Sequence, residues 1–287
     1  MTDKPNNKNM RPLNASKDSD RDKPTKAYKN LDFMQSRSGR PMRILSEFLE
    51  PEDRFERHNV SDTIVFFGSA RIRSKEVAEQ ALASAKKHGG DIARAQQTLV
   101  MSRYYEDARA LSRRLTEWSK ALKGRAKRFV ICTGGGPGIM EAANRGANDA
   151  KGHNVGLNIS LPFEQHENPY ISHELTFDFH YFFMRKFWFA YLAKAVVVFP
   201  GGYGTMDEFF ELLTLVSTQK MGKPMPVVLY GTEYWDEIMN LDAMVKYGTI
   251  SPSDLELFYR TDSVDDAFEF ITEKLSEHHV DNPGGTM

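Results

Sequence analysis

The feature that most restricts the fold of this chain is an apolar run followed at once by glycines, at residues 196–208. Residues 196–199 are apolar without alternation, as expected for a parallel strand that is covered on both faces. After Pro200, Gly201, Gly202 and Gly204 let the backbone turn sharply and approach a ligand closely. Their N–H groups, together with the first turn of the helix that follows, form an anion site suited to a phosphate.

The same segment also allows a purely structural interpretation. Thr205-Met206-Asp207-Glu208 matches the S/T-x-x-E capping box, in which the two side chains satisfy free backbone N–H groups at a helix start. In that case Glu208 would serve the helix and no ligand. From this segment alone, a ligand-binding role and a capping role both stay open.

Two further strand-to-glycine junctions occur upstream. An apolar run in residues 62–67 leads to Gly68-Ser69, and residues 128–133 lead to Gly134-Gly135-Gly136-Pro137-Gly138. Further strands are predicted at 154–161, 175–179, 225–230 and 257–260, and further helices at 180–194, 205–218, 233–246 and 263–279. The alternation predicts an α/β fold: a single domain with a doubly wound, Rossmann-like, mostly parallel sheet. Ligands of such sheets bind at the carboxyl ends of the strands, where the glycine clusters can converge.

Composition divides the chain into three parts. Residues 1–40 contain ten Lys or Arg against five Asp or Glu and few large apolar side chains, which predicts a disordered polar tail. Residues 41–61 are predicted as an N-terminal helical extension, interrupted at Pro51. The folded domain is expected over 62–280, with the long helical segment 75–123 split in two near Gly89-Gly90.

The bulk properties exclude several classes of protein. The formal net charge of −1 does not favour binding to nucleic acid or to a membrane surface. There is no apolar run of the roughly 20 residues that a membrane-spanning helix needs, and the polar N-terminus does not resemble a secretory signal. The single cysteine, Cys132, excludes an internal disulfide framework and favours a reducing cytoplasm. Within its strand, Cys132 is interpreted as an inert core thiol.

Two cations interrupt the apolar helix predicted at 180–194. Because burying an unpaired cation is costly, Arg185 is predicted to face a carboxylate or an anionic ligand. Lys186 is interpreted by default as a surface lysine whose ammonium reaches solvent. The histidines His166 and His173 have no spacing that suggests a metal site, and no metal or other cofactor is predicted.

Together these motifs resemble the Lonely Guy family, whose members often carry the name lysine decarboxylase. The most specific match is P-G-G-x-G-T-x-x-E at 200–208, and it is accompanied by Gly68-Ser69, by the glycine cluster at 134–138 and by Met184-Arg185-Lys186. The resemblance covers about residues 62–275. The tail and the segment 75–123 depart from the short plant-type members and resemble a longer bacterial form. Position 207 is Asp where many members have Glu.

The resemblance implies a phosphoribohydrolase, which cleaves the N-glycosidic bond of a nucleoside 5′-monophosphate to free base and ribose 5-phosphate. It implies a substrate such as AMP or a cytokinin riboside 5′-monophosphate, and a homodimer or larger homo-oligomer. Arg185 and Glu208 would form the catalytic pair. The implied substrate- and phosphate-binding residues are Ser69, Gly134, Gly135, Met184, Lys186, Gly201, Gly202, Gly204 and Thr205.

These implied roles agree with the chemistry of the reaction. Cleavage of an N-glycosidic bond builds positive charge on the ribose in an oxocarbenium-like transition state. A carboxylate such as Glu208 can stabilise that charge and orient a water molecule. An arginine such as Arg185 can hold the carboxylate or the sugar phosphate in a fixed geometry.

Two other classes of function remain open. One is a binding protein of the same fold without catalysis, which would hold a nucleotide or a molybdenum cofactor; the presence of Arg185 and Glu208 counts against it. The other is a pyridoxal-phosphate lysine decarboxylase. That enzyme needs a Schiff-base lysine and a partner for the pyridinium nitrogen, and neither is identifiable in the sequence.

Overall fold

The computed structural model describes residues 24–124, 126–160 and 168–284. The chain divides into two compact units, Met1–Arg43 and Ile44–Met287. Within the stretch predicted as a disordered tail, the described part forms a 3-10 turn at Ala27–Lys29 and a short helix, α1, at Leu31–Gln35. The rest of that predicted tail, residues 1–23, lies outside the described residues.

The second unit contains a seven-stranded sheet. The strands are β1 (Thr63–Phe67), β2 (Val130–Thr133), β3 (Asn154–Ile159), β4 (Thr176–Phe179), β5 (Ala193–Val198), β6 (Val227–Tyr230) and β7 (Tyr259–Thr261). Their order is β4-β3-β2-β1-β5-β6-β7, and every neighbouring pair is parallel. The prediction of a doubly wound parallel sheet is confirmed, with all strands parallel instead of most.

Helices precede, connect and follow the strands. They are α2 (Arg40–Arg57), α3 (Lys75–His88), α4 (Ile92–Ala121), α5 (Ile139–Asp149), α6 (Phe182–Leu192), α7 (Tyr203–Ser217), α8 (Thr232–Ile238), α9 (Leu241–Lys246) and α10 (Val264–His278). The expected break near Gly89-Gly90 is present, since Gly89 ends α3 in the left-handed conformation at φ +72°. The single helix predicted over 233–246 is two helices, α8 and α9.

The sheet separates two apolar cores. Along β1, Val65 and Phe67 face the core that contains α6 and α7, while Ile64 and Phe66 face the core that contains α4, α5 and α10. All five residues of β1 and all six of β5 are buried. Strands that are buried on both faces carry apolar side chains on both faces, which is why these runs do not alternate between apolar and polar residues.

Helices α4 and α5 pack closely because α5, which follows the second glycine cluster, contains small residues. A Cβ on Gly146 would collide with the carbonyl oxygen of Arg109 on α4. The Ser112 hydroxyl donates a hydrogen bond of 2.5 Å to the carbonyl of Ala143. The small residues of α5 therefore let α4 lie close to it.

Cys132 is buried in β2, and burial raises the pKa of its thiol, as expected for an inert core cysteine. Among the helices of residues 24–284 that the structure describes, none is long and apolar enough to cross a membrane.

Candidate active site

The three predicted glycine turns meet at one end of the sheet. Strands β2, β3 and β4 extend the sheet on one side of β1, and β5, β6 and β7 extend it on the other. The direction in which strands are added therefore reverses between β1 and β5. Ser69 N–H, after β1, donates to the carbonyl of Pro200, after β5, at 3.0 Å. Ile139 N–H, at the start of α5, donates to the carbonyl of Ser69 at 3.1 Å. A reversal of this kind is where doubly wound sheets bind ligands.

A cleft of about 800 Å³ opens at this point. Eight of the eleven residues predicted for the site line it: Ser69, Gly134, Arg185, Gly201, Gly202, Gly204, Thr205 and Glu208. They come from the ends of β1, β2 and β5 and from α6 and α7, so residues far apart in sequence share one concave surface. The volume suits a nucleotide-sized ligand.

The helix after the third glycine turn begins earlier than predicted. Helix α7 starts at Tyr203, its N-cap is Gly202, and no side chain caps it. The N–H groups of Thr205 and Met206 both donate to the Gly202 carbonyl at 3.0 Å. Gly204 lies inside the first turn, although glycine is a poor helix former and its presence had predicted a loop.

This earlier start makes the capping-box interpretation wrong. Thr205 is the third residue of α7 and Glu208 the sixth, so neither holds a capping position. The first N–H groups of the helix, which have no partner inside it, are left available at the mouth of the turn. Together with the helix dipole they favour an anion at this point.

The glycine turn itself is held by close contacts. A Cβ at Gly201 would collide with the side chain of Thr205, so only glycine fits there without a shift. The hydroxyl of Tyr234, on α8, donates to the carbonyl of Gly201 at 2.9 Å. This hydrogen bond occupies the carbonyl oxygen, an acceptor that would repel an anion.

Arg185 and Glu208 form a buried ion pair in the cleft. The distance from Arg185 Nη2 to Glu208 Oε1 is 3.6 Å, and the side chains are 14% and 7% exposed. Burial raises the pKa of the Glu208 carboxyl to about 7, even though Arg185 and Lys186 act in the opposite direction. Burial likewise lowers the pKa of Arg185, against the attraction of Glu208. Loss of hydration therefore outweighs the attraction between the two charges.

The guanidinium of Arg185 has unused hydrogen-bonding capacity. Its Nε is buried and, in the part of the chain that the structure describes, has no hydrogen-bond partner. The group lies 5.1 Å from the ring centre of Phe182 and 5.6 Å from that of Phe189. A buried donor without a partner costs about 1–3 kcal/mol.

Three predicted site residues point elsewhere. Met184 is 8% exposed and belongs to the apolar core. Lys186 Nζ lies 2.8 Å from Asp207 and 2.8 Å from Glu211; burial alone would lower its pKa, but these two hydrogen bonds raise it. Successive helical side chains differ by about 100° around the axis, so Met184, Arg185 and Lys186 cannot all face the cleft.

Gly135 is the third exception. At φ +72°, a Cβ on this residue would collide with the side chain of Asn158 on β3 and not with anything in the cleft. Its carbonyl accepts hydrogen bonds from the N–H and from the side-chain amide of Asn168 at 3.1 and 3.2 Å. Gly135 therefore shapes the turn, while its neighbour Gly134 lines the cleft.

Fifteen residues that line the cleft were not among the predicted site residues. They are Phe67, Gly68, Ala70, Arg71, Ile72, Met101, Met140, Ile159, Phe182, Phe189, Pro200, Tyr203, Met206, Tyr234 and Ile238. Arg71 could have been considered, as a cation two residues beyond Ser69. Met101 and Ile238 come from α4 and α8, and no local signal connects them with the glycine turns.

Comparison with known proteins finds a family model and several relatives that are similar to this chain. The family model described as possible lysine decarboxylase matches residues 140–271. The cytokinin riboside 5′-monophosphate phosphoribohydrolase LOG3 of Arabidopsis thaliana is 25% identical over 151 residues, covering 52% of this chain and 67% of the relative. A probable enzyme of the same name, LOG4 of Oryza sativa subsp. japonica, is 27% identical over 159 residues, covering 54% and 67%. The resemblance to the Lonely Guy family is confirmed.

Two solved structures are also similar to this chain. The protein TM1055 is 20% identical, with a TM-score of 0.44, covering 74% of this chain and 99% of its own. The Moco carrier protein from Chlamydomonas reinhardtii is 18% identical, also with a TM-score of 0.44, covering 76% and 99%.

The family model that matches this chain covers only part of the cleft. It includes Arg185 and the whole glycine turn up to Glu208, but it begins at Met140, after Ser69 and Gly134. Helix α2, which packs against α6, also lies outside it. No lysine occurs among the described residues that line the cleft, so the structure offers no Schiff-base lysine there of the kind a pyridoxal-phosphate decarboxylase uses.

Proposed function

We propose that this protein hydrolyses the N-glycosidic bond of a nucleoside 5′-monophosphate, releasing the free base and ribose 5-phosphate. The observation that carries the proposal is the buried pair of Arg185 and Glu208 beside the glycine turn at 200–204, within one cleft. The names of the Lonely Guy relatives, which describe phosphoribohydrolases, support the same reaction.

The glycine turn would bind the 5′-phosphate. Gly201, Gly202 and Gly204 line the cleft where α7 begins, and helix N-terminal N–H groups are suited to phosphate oxygens. A Cβ at Gly202 or at Gly204 would have no other described atom within 4 Å beyond its chain neighbours and the backbone of its own helix, so this side of the turn is open to a ligand. Thr205 and Ser69 add hydroxyl groups at the same surface.

Glu208 would act on the ribose. With a pKa of about 7, its carboxyl can give up and take back a proton near neutral pH, which suits a general base. Its ionised form also stabilises the positive charge that develops at C1′. Arg185, 3.6 Å away, would hold the carboxylate in position.

The reaction balances without a further reactant. A water oxygen bonds to C1′ while the bond from C1′ to the base nitrogen breaks, and its electron pair leaves with the base. One water proton passes to Glu208 and is then released to the departing base. The products are the protonated base and ribose 5-phosphate, with Glu208 returned to its starting form.

The test is to incubate the purified protein with AMP, CMP, GMP and UMP and to measure free base and ribose 5-phosphate by chromatography. Glu208→Gln should release little base from any of them. Glu211→Gln is the matched control, because Glu211 lies one turn further along α7 and pairs with Lys186. Nucleotide binding without base release by the unmodified protein would favour a non-catalytic binding protein.

We further infer that two copies of the chain associate through α3 and α4. Val77 on α3 and Ile92 and Val100 on α4 are 48%, 40% and 58% exposed, and homodimers with a shared surface patch are the commonest assemblies. Light scattering should give a dimer mass at micromolar concentration. A monomer mass throughout that range would contradict the inference.

A further inference from the structure

Helix α6, which carries Arg185, is anchored at its start by a residue from a distant helix. The Glu47 carboxylate of α2 accepts hydrogen bonds from His180 N–H at 2.8 Å and from Tyr181 N–H at 3.2 Å. Tyr181 is the N-cap of α6, yet its own side chain makes no cap hydrogen bond, and the first turn of the helix contains no acidic residue. Glu47 therefore supplies the anion that a helix start favours.

The backbone of Glu47 holds the same helix further along. Pro51 lies four residues after Glu47 inside α2 and has no N–H, so it cannot donate to the Glu47 carbonyl. That carbonyl instead accepts the indole N–H of Trp188 at 3.0 Å. Trp188 is 2% exposed and packs 5.9 Å from Phe48 of α2. Proline is otherwise unfavourable in a helix interior, but here Pro51 leaves the Glu47 carbonyl free to accept the Trp188 indole N–H.

A continuous set of contacts joins Glu47 to the ion pair of the cleft. The Tyr181 carbonyl accepts the Arg185 N–H at 3.2 Å, which is the first helical bond of α6. The next residue, Phe182, packs its ring against the Arg185 guanidinium, and that guanidinium reaches Glu208. The Tyr181 hydroxyl is buried and has no hydrogen-bond partner among the described residues, so the backbone and not the phenol anchors this residue.

We propose that Glu47 is a positioning residue for Arg185: it fixes the first turn of α6, and thereby the direction from which the guanidinium meets Glu208 and the substrate. Only the kinetic effects expected of this proposal rest on the proposed function. It assigns a role to the N-terminal helical extension, which lies outside the matched family region. Small displacements of a catalytic group are costly, and an error of about 1 Å can lower the rate about a hundred-fold.

The experiment compares Glu47→Ala with Glu47→Gln and with the control Asp53→Ala. Asp53 lies on the same helix and pairs with Arg57 four residues along, so its loss leaves α6 untouched. We expect Glu47→Ala to lower kcat about ten- to a hundred-fold. Glu47→Gln keeps one acceptor oxygen and should recover a large part of kcat, and Asp53→Ala should stay within about two-fold.

A double-mutant cycle separates positioning from general damage. If Glu47 acts through Arg185, adding Glu47→Ala to Arg185→Ala should cause little further loss of kcat. An equal loss in both backgrounds, or no loss from Glu47→Ala while Arg185→Ala is impaired, would overturn the proposal. Normal turnover of Arg185→Ala would instead refute the proposed function.

Hydrogen exchange tests the proposal even if no nucleotide is hydrolysed. In Glu47→Ala, the amides of residues 182–186 should exchange at least about ten-fold faster than in the unmodified protein or in Asp53→Ala, because the first turn opens more often. Unchanged exchange of these amides in Glu47→Ala would show that Glu47 does not hold the helix start.

Discussion

Replacing Glu208 by glutamine is expected to stabilise the folded chain at alkaline pH and to remove most of its proposed activity. The side chain is 7% exposed and lies 3.6 Å from Arg185. Burial raises the pKa of its carboxyl from 4.5 to about 7. Glutamine has nearly the same shape but cannot ionise, so it resembles the protonated carboxyl at every pH.

The sign of the effect follows from proton binding. Because the folded-state pKa of Glu208 is raised, the folded chain keeps this proton between pH 4.5 and about 7, where the unfolded chain has released it. The free energy of unfolding therefore falls as the pH rises through that interval. The stabilising contribution of the carboxyl is complete below pH 4.5 and lost above about pH 7.

The magnitude follows from the same two values. The difference between 4.5 and about 7, at 1.36 kcal/mol for each pKa unit, corresponds to about 3 kcal/mol. The free energy of unfolding of Glu208→Gln should exceed that of the unmodified protein by up to this amount near pH 8.5. Near pH 4.5 the two values should be equal. For a unit of this size, 1 kcal/mol changes Tm by about 2–4 °C, so the expected increase is up to roughly 6–12 °C.

The assay pairs thermal unfolding with turnover. Wild-type protein, Glu208→Gln and the control Glu211→Gln are melted at about pH 5 and about pH 8.5, and nucleotide hydrolysis is measured at neutral pH. Loss of one preorganised electrostatic stabiliser typically costs about 100- to 1,000-fold in kcat. Glu211→Gln should change Tm little at either pH, because the Glu211 side chain is 36% exposed.

Two results would refute this reasoning. A Glu208→Gln variant with an unchanged Tm at about pH 8.5 would show that the carboxylate is not destabilised by burial. Hydrolysis at the wild-type rate by the same variant would show that Glu208 takes no part in the chemistry. The combination of higher stability and lower activity is the expected signature of a residue retained for function.

The remaining predictions concern the phosphate, the glycine turn and the tail. AMP should be cleaved several orders of magnitude faster than adenosine, since charge-assisted contacts contribute about 1.5–3 kcal/mol each; equal rates would make the turn structural only. Gly201→Ala should lower kcat/KM about ten-fold or more, because its Cβ collides with Thr205. In the control Gly222→Ala, the Cβ meets no other described atom within 4 Å, so kcat/KM should not change. Deleting residues 1–23 should leave Tm and turnover unchanged, as measured by calorimetry and base release.

The helix start at the third glycine turn shows where local rules fail. The sequence predicted a helix start at Thr205, because Gly204 is a poor helix residue, and it left open a capping box at T-x-x-E. In the structure α7 begins at Tyr203, and the Gly202 carbonyl accepts the N–H groups of Thr205 and Met206. Tertiary placement of the strand outweighed a local preference of about 1 kcal/mol.

The three residues at 184–186 illustrate a second limit. A family motif presents Met184, Arg185 and Lys186 as neighbours, and sequence alone cannot say which of them faces a ligand. Once α6 packs between the sheet and α2, helix geometry leaves only Arg185 directed into the cleft. Met184 enters the core, and Lys186 pairs with two carboxylates of α7.

The sequence by itself determined the alternation of strands and helices, the parallel sheet and the glycine turns at strand ends, because each follows from local hydrophobic pattern and backbone freedom. The resemblance to a family implied that Arg185 and Glu208 belong to one site, and the structure places them 3.6 Å apart. Only the tertiary structure decided that Glu208 is buried enough to titrate near pH 7, that Met101 and Ile238 complete the cleft, and that Glu47 holds the start of α6. Desolvation and long-range hydrogen bonds depend on which distant segments meet, and no local pattern records that.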